Sequence, residues 1–206
     1  MDKINYLVQK FQNSGILSFD NIKTTGNRGY NSYHVEHLNK ILDTIPITRR
    51  APILAAAIEE SGVNPRAKGS SGEFGVLQMK NDRYVHHPNE KNLTDIELID
   101  WQAKQALEQM KRDPQGGNWT DGGSGTGIAH AIDAYNAFYN PNATLEETNN
   151  YLNLGFIRPS GKKESASNRL LVTKQIYDIL QSQENEKAML ESKSEEKKWW
   201  EKLLGR

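Results

Sequence analysis

One segment limits the architecture more than any other. Ile53-Leu54-Ala55-Ala56-Ala57-Ile58 presents hydrocarbon on nearly every face of a helix, so other elements must surround it on all sides. Thr48 reads as the N-cap of this helix, which should run from about Arg49 to Ser61. Helical periodicity dominates elsewhere too. Leu7 and Phe11, with Ile4, mark a short first helix, and Val35, Leu38, Ile41 and Leu42 mark a second that Pro46 ends. Thr94-Asp95-Ile96-Glu97 and Thr144-Leu145-Glu146-Glu147 have the capping-box pattern, opening helices to about Arg112 and through Leu152. Further helices are expected over Ile128 to Phe138 and around Leu170, Leu171, Ile176, Ile179 and Leu180. The Gly-, Ser-, Asn- and Pro-rich stretch from Gly62 to Pro88 reads as a long loop holding a small hairpin. No strand of useful length and no internal repeat is visible. The expectation is a mainly α fold with an irregular or hairpin loop region and a charged C-terminal helix. It divides into an N-terminal helical extension (1–46), a central domain (47–180) and a charged tail (181–206).

Composition removes several function classes. Of 206 residues 36% are apolar, and the 16 glycines bring the share near the globular norm, so a core can form. The 26 basic and 26 acidic residues cancel, unlike the strong positive charge of a general nucleic-acid binder. With no cysteine, disulfides, thiolate metal sites and cysteine nucleophiles are excluded. No run approaches the roughly 20 apolar residues that span a bilayer. The N-terminal residues lack the long apolar stretch of a signal peptide, so delivery to a cell wall or periplasm is expected from a phage particle or by holin-assisted release from a host cytoplasm.

The candidate chemistry sits where the apolar helix ends, at Ile58-Glu59-Glu60-Ser61-Gly62. On helical geometry Glu60 shares a face with Ala57 and Ile53, and Glu59 lies alongside Ala55 and Ala56. A carboxyl drawn into apolar surroundings holds its proton to higher pH, and the negative end of a helix dipole acts the same way, which is how a Glu becomes a general acid near neutrality. A Glu near a helix end is, however, ordinarily solvated and inert.

The stretch Glu60-Ser61-x-x-Asn64-Pro65-x-Ala67, followed by Gly72-x-x-Gly75-Val76-Leu77-Gln78, resembles the soluble lytic transglycosylase and goose-type lysozyme families, which share a lysozyme-like fold. Ala134-Tyr135-Asn136-Ala137 and Glu147-Thr148-Asn149-Asn150-Tyr151 are similar to two further blocks of those families, in the same order. The resemblance covers about residues 50–155. It implies a lysozyme-like domain that cuts the β-1,4 bond between N-acetylmuramic acid and N-acetylglucosamine in peptidoglycan glycan strands without a cofactor or metal. It also implies Glu60 as the catalytic acid/base. Substrate contacts are implied for Ser61, Gly75, Gln78, Met79, Tyr135, Asn136 and Tyr151, with helix–helix packing the alternative role for the two tyrosines. The choice of Glu60 over Glu59 rests on the following Ser61.

The chain departs from the families at Gly69, where they often carry Ser, at Glu73, where they usually carry Ala, and at Phe138, where Gly frequently stands. Glu73 and Asp82 are the candidates for a second carboxylate, which would turn a lytic transglycosylase into a hydrolase. Either is ordinarily a solvated loop acid. His34/His37 and His86-His87 lack metal-ligand spacing, and Gly122 to Gly127 lacks the strand and Lys of a phosphate loop. Arg158, Lys162 and Lys163 form a basic patch of the kind that attracts acidic wall polymers or is simply solvated. In the tail, Trp199-Trp200 and Leu203-Leu204 stand among balanced Glu and Lys, and read either as an exposed helix or as a docking point for a partner protein. A catalytically inactive lysozyme-like component of a virion or secretion apparatus is the rival to an enzyme.

Overall fold

The computed structural model describes residues 18–25, 29–80, 83–112, 119, 130–157 and 162–203. The first expected helix, Asp82 and the glycine-rich stretch 122–127 lie outside the described residues. A 3-10 turn, Phe19–Asn21, leads to α1 (Ser32–Ile41) and α2 (Ile47–Ser61). A two-stranded antiparallel hairpin follows, β1 (Glu73–Phe74) paired with β2 (Met79–Lys80) in the register Glu73–Lys80 and Phe74–Met79. The rest is helical: α3 (Asp95–Lys111), α4 (Ala131–Tyr139), α5 (Leu145–Tyr151), a π-turn (Leu152–Ile157) and the 42-residue α6 (Lys162–Leu203). The fold is mainly α, and no helix of the described residues is long and apolar enough to cross a membrane.

The apolar helix lies where its composition requires. Residues Ala51 to Ile58 of α2 are all buried, and α2 packs most extensively against the first half of α6, which contributes Ala166, Val172, Ile176, Ile179 and Leu180. Phe19, Ile22, Val35, Leu38 and Leu42 close the core from the N-terminal side. Trp119 fills the space among α4, α3 and the π-turn. Its indole N–H donates to the Met110 carbonyl at 3.1 Å, and its ring meets Tyr135, Phe138, Tyr139 and Phe156.

Two capping boxes form as their sequences require, Thr94 with Glu97 and Thr144 with Glu147. The N–H of each Thr donates to the Glu carboxylate, and this holds both carboxyls below their usual range. The start of α2 differs from expectation. Pro46 takes the cap position without a side-chain bond, and Thr48 stands inside the helix. The reason is tertiary. Pro52 has no N–H to give the Thr48 carbonyl four residues earlier. Thr148 of α5 supplies the missing donor through Oγ1 at 2.7 Å, so the helix passes through its proline. Helix α6 runs through residue 180 unbroken, so the charged tail expected from residue 181 continues the same helix.

Two outcomes follow from these contacts. Thr148→Val keeps the shape but orphans the Thr48 carbonyl, and should lower unfolding free energy by about 1–3 kcal/mol in urea titration. An unchanged midpoint would contradict the repair of the proline gap. Burial pushes the Tyr84 and Tyr139 hydroxyls up to about 12, whereas an unfolded tyrosine ionises near 10. Between those values the unfolded chain releases protons that the folded one keeps. These two groups therefore leave stability unchanged below pH about 10 and reduce it as pH rises towards 12, which urea midpoints and tyrosinate absorbance will read.

Candidate functional site

Glu60 occupies the last turn of α2. The helix stops there because Gly62 adopts a left-handed backbone (φ 67°), its N–H returning to the Ile58 carbonyl at 2.8 Å. A side chain on Gly62 would strike the Gly29 carbonyl. Val63 follows at φ 58° and Gln78 stands at 46° in the adjoining loop; these are the two non-glycine residues with positive φ among those described. A β-branched residue held there is strained, and such strain tends to collect at functional sites.

The Glu60 side chain is 19% exposed, and its carboxylate reaches into a buried polar chain. The Arg169 guanidinium donates through Nη2 to Glu60 Oε1 and through Nη1 to Asn153 Oδ1 at 2.6 Å. Asn153 Nδ2 donates to the Asn149 carbonyl at 2.8 Å and to Asn149 Oδ1 at 3.1 Å. The Thr173 hydroxyl donates to the same Oδ1 at 2.9 Å, and Asn149 Nδ2 donates to the Ala166 carbonyl at 3.0 Å. Helix α6 thus delivers the cation, and α5 with the π-turn delivers the amides that orient it. The apolar surroundings of Glu60 are therefore accompanied by a countercharge that α2 alone does not reveal. Glu59 is used differently: its Oε1 accepts from the Thr25 N–H at 2.7 Å, tying down the N-terminal segment.

The loop beside Glu60 is held by the residues that the motif singles out. Ser61 Oγ donates to the Val76 carbonyl at 2.9 Å and accepts from the Asn64 N–H at 3.2 Å. Gly75 (φ 76°) lies against the Gln102 amide, where any side chain would collide. Gln102 in turn accepts from the Val76 N–H at 2.9 Å and donates to the Pro65 carbonyl at 2.7 Å. Gln78 Nε2 donates to the Gly75 and Ala67 carbonyls at 2.9 and 3.2 Å. These residues set the loop's shape, and Met79 is buried in the core.

Glu73 accepts from the Ser71 N–H at 3.0 Å, and its carboxylate with the Gln78 amide fills the space that a side chain on residue 69 would need. Gly69 and Glu73 therefore depart from the family pattern together, for one steric reason. On α4, Tyr135 packs half-buried against Tyr139 (ring centroids 4.7 Å apart) and Asn136 is exposed, while Tyr151 ends α5 half-buried against the core. Asp82 lies outside the described residues.

The histidines serve local structure. His34 Nδ1 lies 3.0 Å from the Val63 carbonyl, His37 pairs with Asp100 at 2.8 Å, and His86 pairs with Glu90 at 2.6 Å. No group of three or more His, Asp or Glu among the described residues could hold a metal.

Sequence reading missed Arg169, Asn153, Asn149 and Thr173. One signal for Arg169 was present: with Ala166, Thr173, Ile176 and Leu180 it keeps the three–four spacing of the face α6 buries, and a buried guanidinium demands an anion.

Replacing Arg169 by Met should cost on the order of 3 kcal/mol of stability, because Glu60 loses the partner that compensates its burial. Glu60→Gln combined with Arg169→Met should cost less than the two single changes together, by at least about 1 kcal/mol in urea titrations. Strict additivity would show that the pair is not coupled.

No family model, curated protein or solved structure matches the chain.

Proposed function

We propose that this chain cleaves peptidoglycan glycan strands at the β-1,4 bond between N-acetylmuramic acid and N-acetylglucosamine, with Glu60 as the catalytic acid/base. The observation that carries the reading is the setting of Glu60. A partly exposed side chain stands in the last turn of a helix whose residues Ala51 to Ile58 are all buried and apolar, next to a loop bent by Gly75 and Gln78, and is aimed by Arg169. The motif resemblance over residues 50–155 supports the same assignment.

In this mechanism the Glu60 carboxyl protonates the glycosidic oxygen as the bond to the muramyl anomeric carbon breaks. The substrate's N-acetyl oxygen takes the anomeric carbon, and the Glu60 carboxylate then removes the proton of the muramyl 6-hydroxyl as that oxygen closes the anhydro ring. The proton returns to Glu60 and the balance closes. Arg169 fixes the direction of the carboxyl and pairs with the carboxylate present between the two proton transfers, so the first transfer requires that Glu60 take up a proton before the glycosidic bond breaks. Glu73 takes the water-activating role only if the product carries a reducing end.

A second reading has its own observation. The Glu60–Arg169 pair is continuous with a structural network, and an inactive wall-binding or virion component would keep that pair as an anchor. The exposed apolar end of α6 supports an interaction role for the tail under either reading.

Digestion of purified sacculi, with soluble muropeptides analysed by mass spectrometry, separates them. The expected products are anhydro-muropeptides, with release lost by at least about a thousandfold in Glu60→Gln and retained in Glu59→Gln. Circular dichroism on the same samples must show folded protein. Reducing-end products would assign a muramidase instead. No release by the wild-type chain, or undiminished release by Glu60→Gln, would remove Glu60 from catalysis.

A further inference from the structure

Beyond Glu184, which pairs with Arg50 at 2.8 Å, α6 leaves the body of the protein and continues for 19 described residues, about 28 Å. Five large apolar side chains stand exposed on this length, with Trp199 at 56%, Trp200 at 48% and Leu203 at 61%, and Met189 and Leu190 nearly half exposed. Leu190 continues the line of the buried Val172, but the others do not extend the core-facing stripe. At 100° per residue, Met189, Trp200 and Leu203 lie on the side of α6 opposite Arg169 and Ile176, away from the core that the described residues form.

The pattern on that outer face is regular. Met189, Lys193, Glu196, Trp200 and Leu203 recur at alternating intervals of four and three and share an arc of about 80°. Such spacing is the seam of a two-helix coiled coil, and here it is nearly its own mirror. Read backwards from Trp200, the order apolar, charged, charged, apolar repeats with the charge signs exchanged. Neither Lys193 nor Glu196 has an ion-pair partner among the described residues.

We propose that this face pairs with the same face of a second copy of the chain, antiparallel, about a two-fold axis between residues 194 and 195. That register sets Met189 against Trp200 and Lys193 against Glu196, each contact occurring twice. It also lays Trp199 between Ala188 and Ser192 of the second copy, two small residues that leave room for an indole. A parallel in-register pair would instead oppose Lys193 to Lys193 and Glu196 to Glu196. Charge complementarity thus selects both the occupant and the direction. The inference is independent of whether Glu60 is catalytic.

Sedimentation equilibrium of the full chain over a concentration series tests it, with circular dichroism confirming that each variant is folded. The expected result is a monomer–dimer equilibrium. Lys193→Glu or Glu196→Lys alone should weaken it by at least about tenfold, since each places two like-charge contacts in the seam. The double exchange should restore the wild-type constant. Trp200→Ser should abolish association. A wild-type chain that stays monomeric at several hundred micromolar would overturn the proposal, as would a dimer indifferent to the single reversals or a double exchange that fails to restore. Binding of a monomeric chain to phosphatidylglycerol vesicles through the same tryptophans would overturn it as well, assigning the patch to a lipid surface.

Discussion

A charge at the end of a hydrocarbon helix must be met by an opposite charge, and most of the site's architecture follows from how this chain meets it. Glu60 closely follows the buried run Arg50 to Ile58, and burial of an unpaired carboxylate would cost several kcal/mol. Arg169 provides the partner, but it is itself almost wholly buried and needs acceptors of its own. Asn153, Asn149 and Thr173 complete the requirement, and in doing so they fix the packing of α5, the π-turn and α6 against α2. The pair thus links the orientation of one carboxyl to the docking of three elements.

That linkage bears on chemistry. A catalytic carboxyl works only when its direction is set within fractions of an ångström, and a side chain at a helix end would otherwise sample several rotamers. The Arg169 contact sets one direction. On the other side, the loop from Ala67 to Gln78 is shaped by hydrogen bonds to Ser61 and Gln102, with a left-handed residue at Gly75 and a strained one at Gln78. Residues that the motif resemblance assigns to sugar contact are spent, in the free protein, on holding this loop. Their effect on a ligand would then come through loop shape as much as through direct touch.

Local rules were legible in the sequence, and remote ones were not. Both capping boxes were readable because donor and acceptor lie three residues apart. The burial of Ile53 to Ile58 was readable because composition alone demands it. Thr48 was misread as a cap because the donor that repairs the gap at Pro52 comes from Thr148, a hundred residues away. Arg169 stands 109 residues from Glu60, and periodicity could say only that a cation lay on a buried face. The end of the folded body near Glu184 shows in the sequence as the shift to Glu and Lys from residue 181, whereas helix propensity does not change there and α6 runs on. The Gly69 and Glu73 departures looked unrelated in sequence and become one steric exchange in space.

The most direct test of this account is a crystal structure of Glu60→Gln with a bound N-acetylglucosamine–N-acetylmuramic acid oligomer. The glycan should cross the end of α2 with a glycosidic oxygen within hydrogen-bond distance of residue 60, flanked by the Gly75–Gln78 loop and by Tyr135 and Tyr151. An oligomer seated elsewhere, or a residue 60 still sealed against Arg169 with no sugar beside it, would contradict the assignment of this helix end as the reacting site.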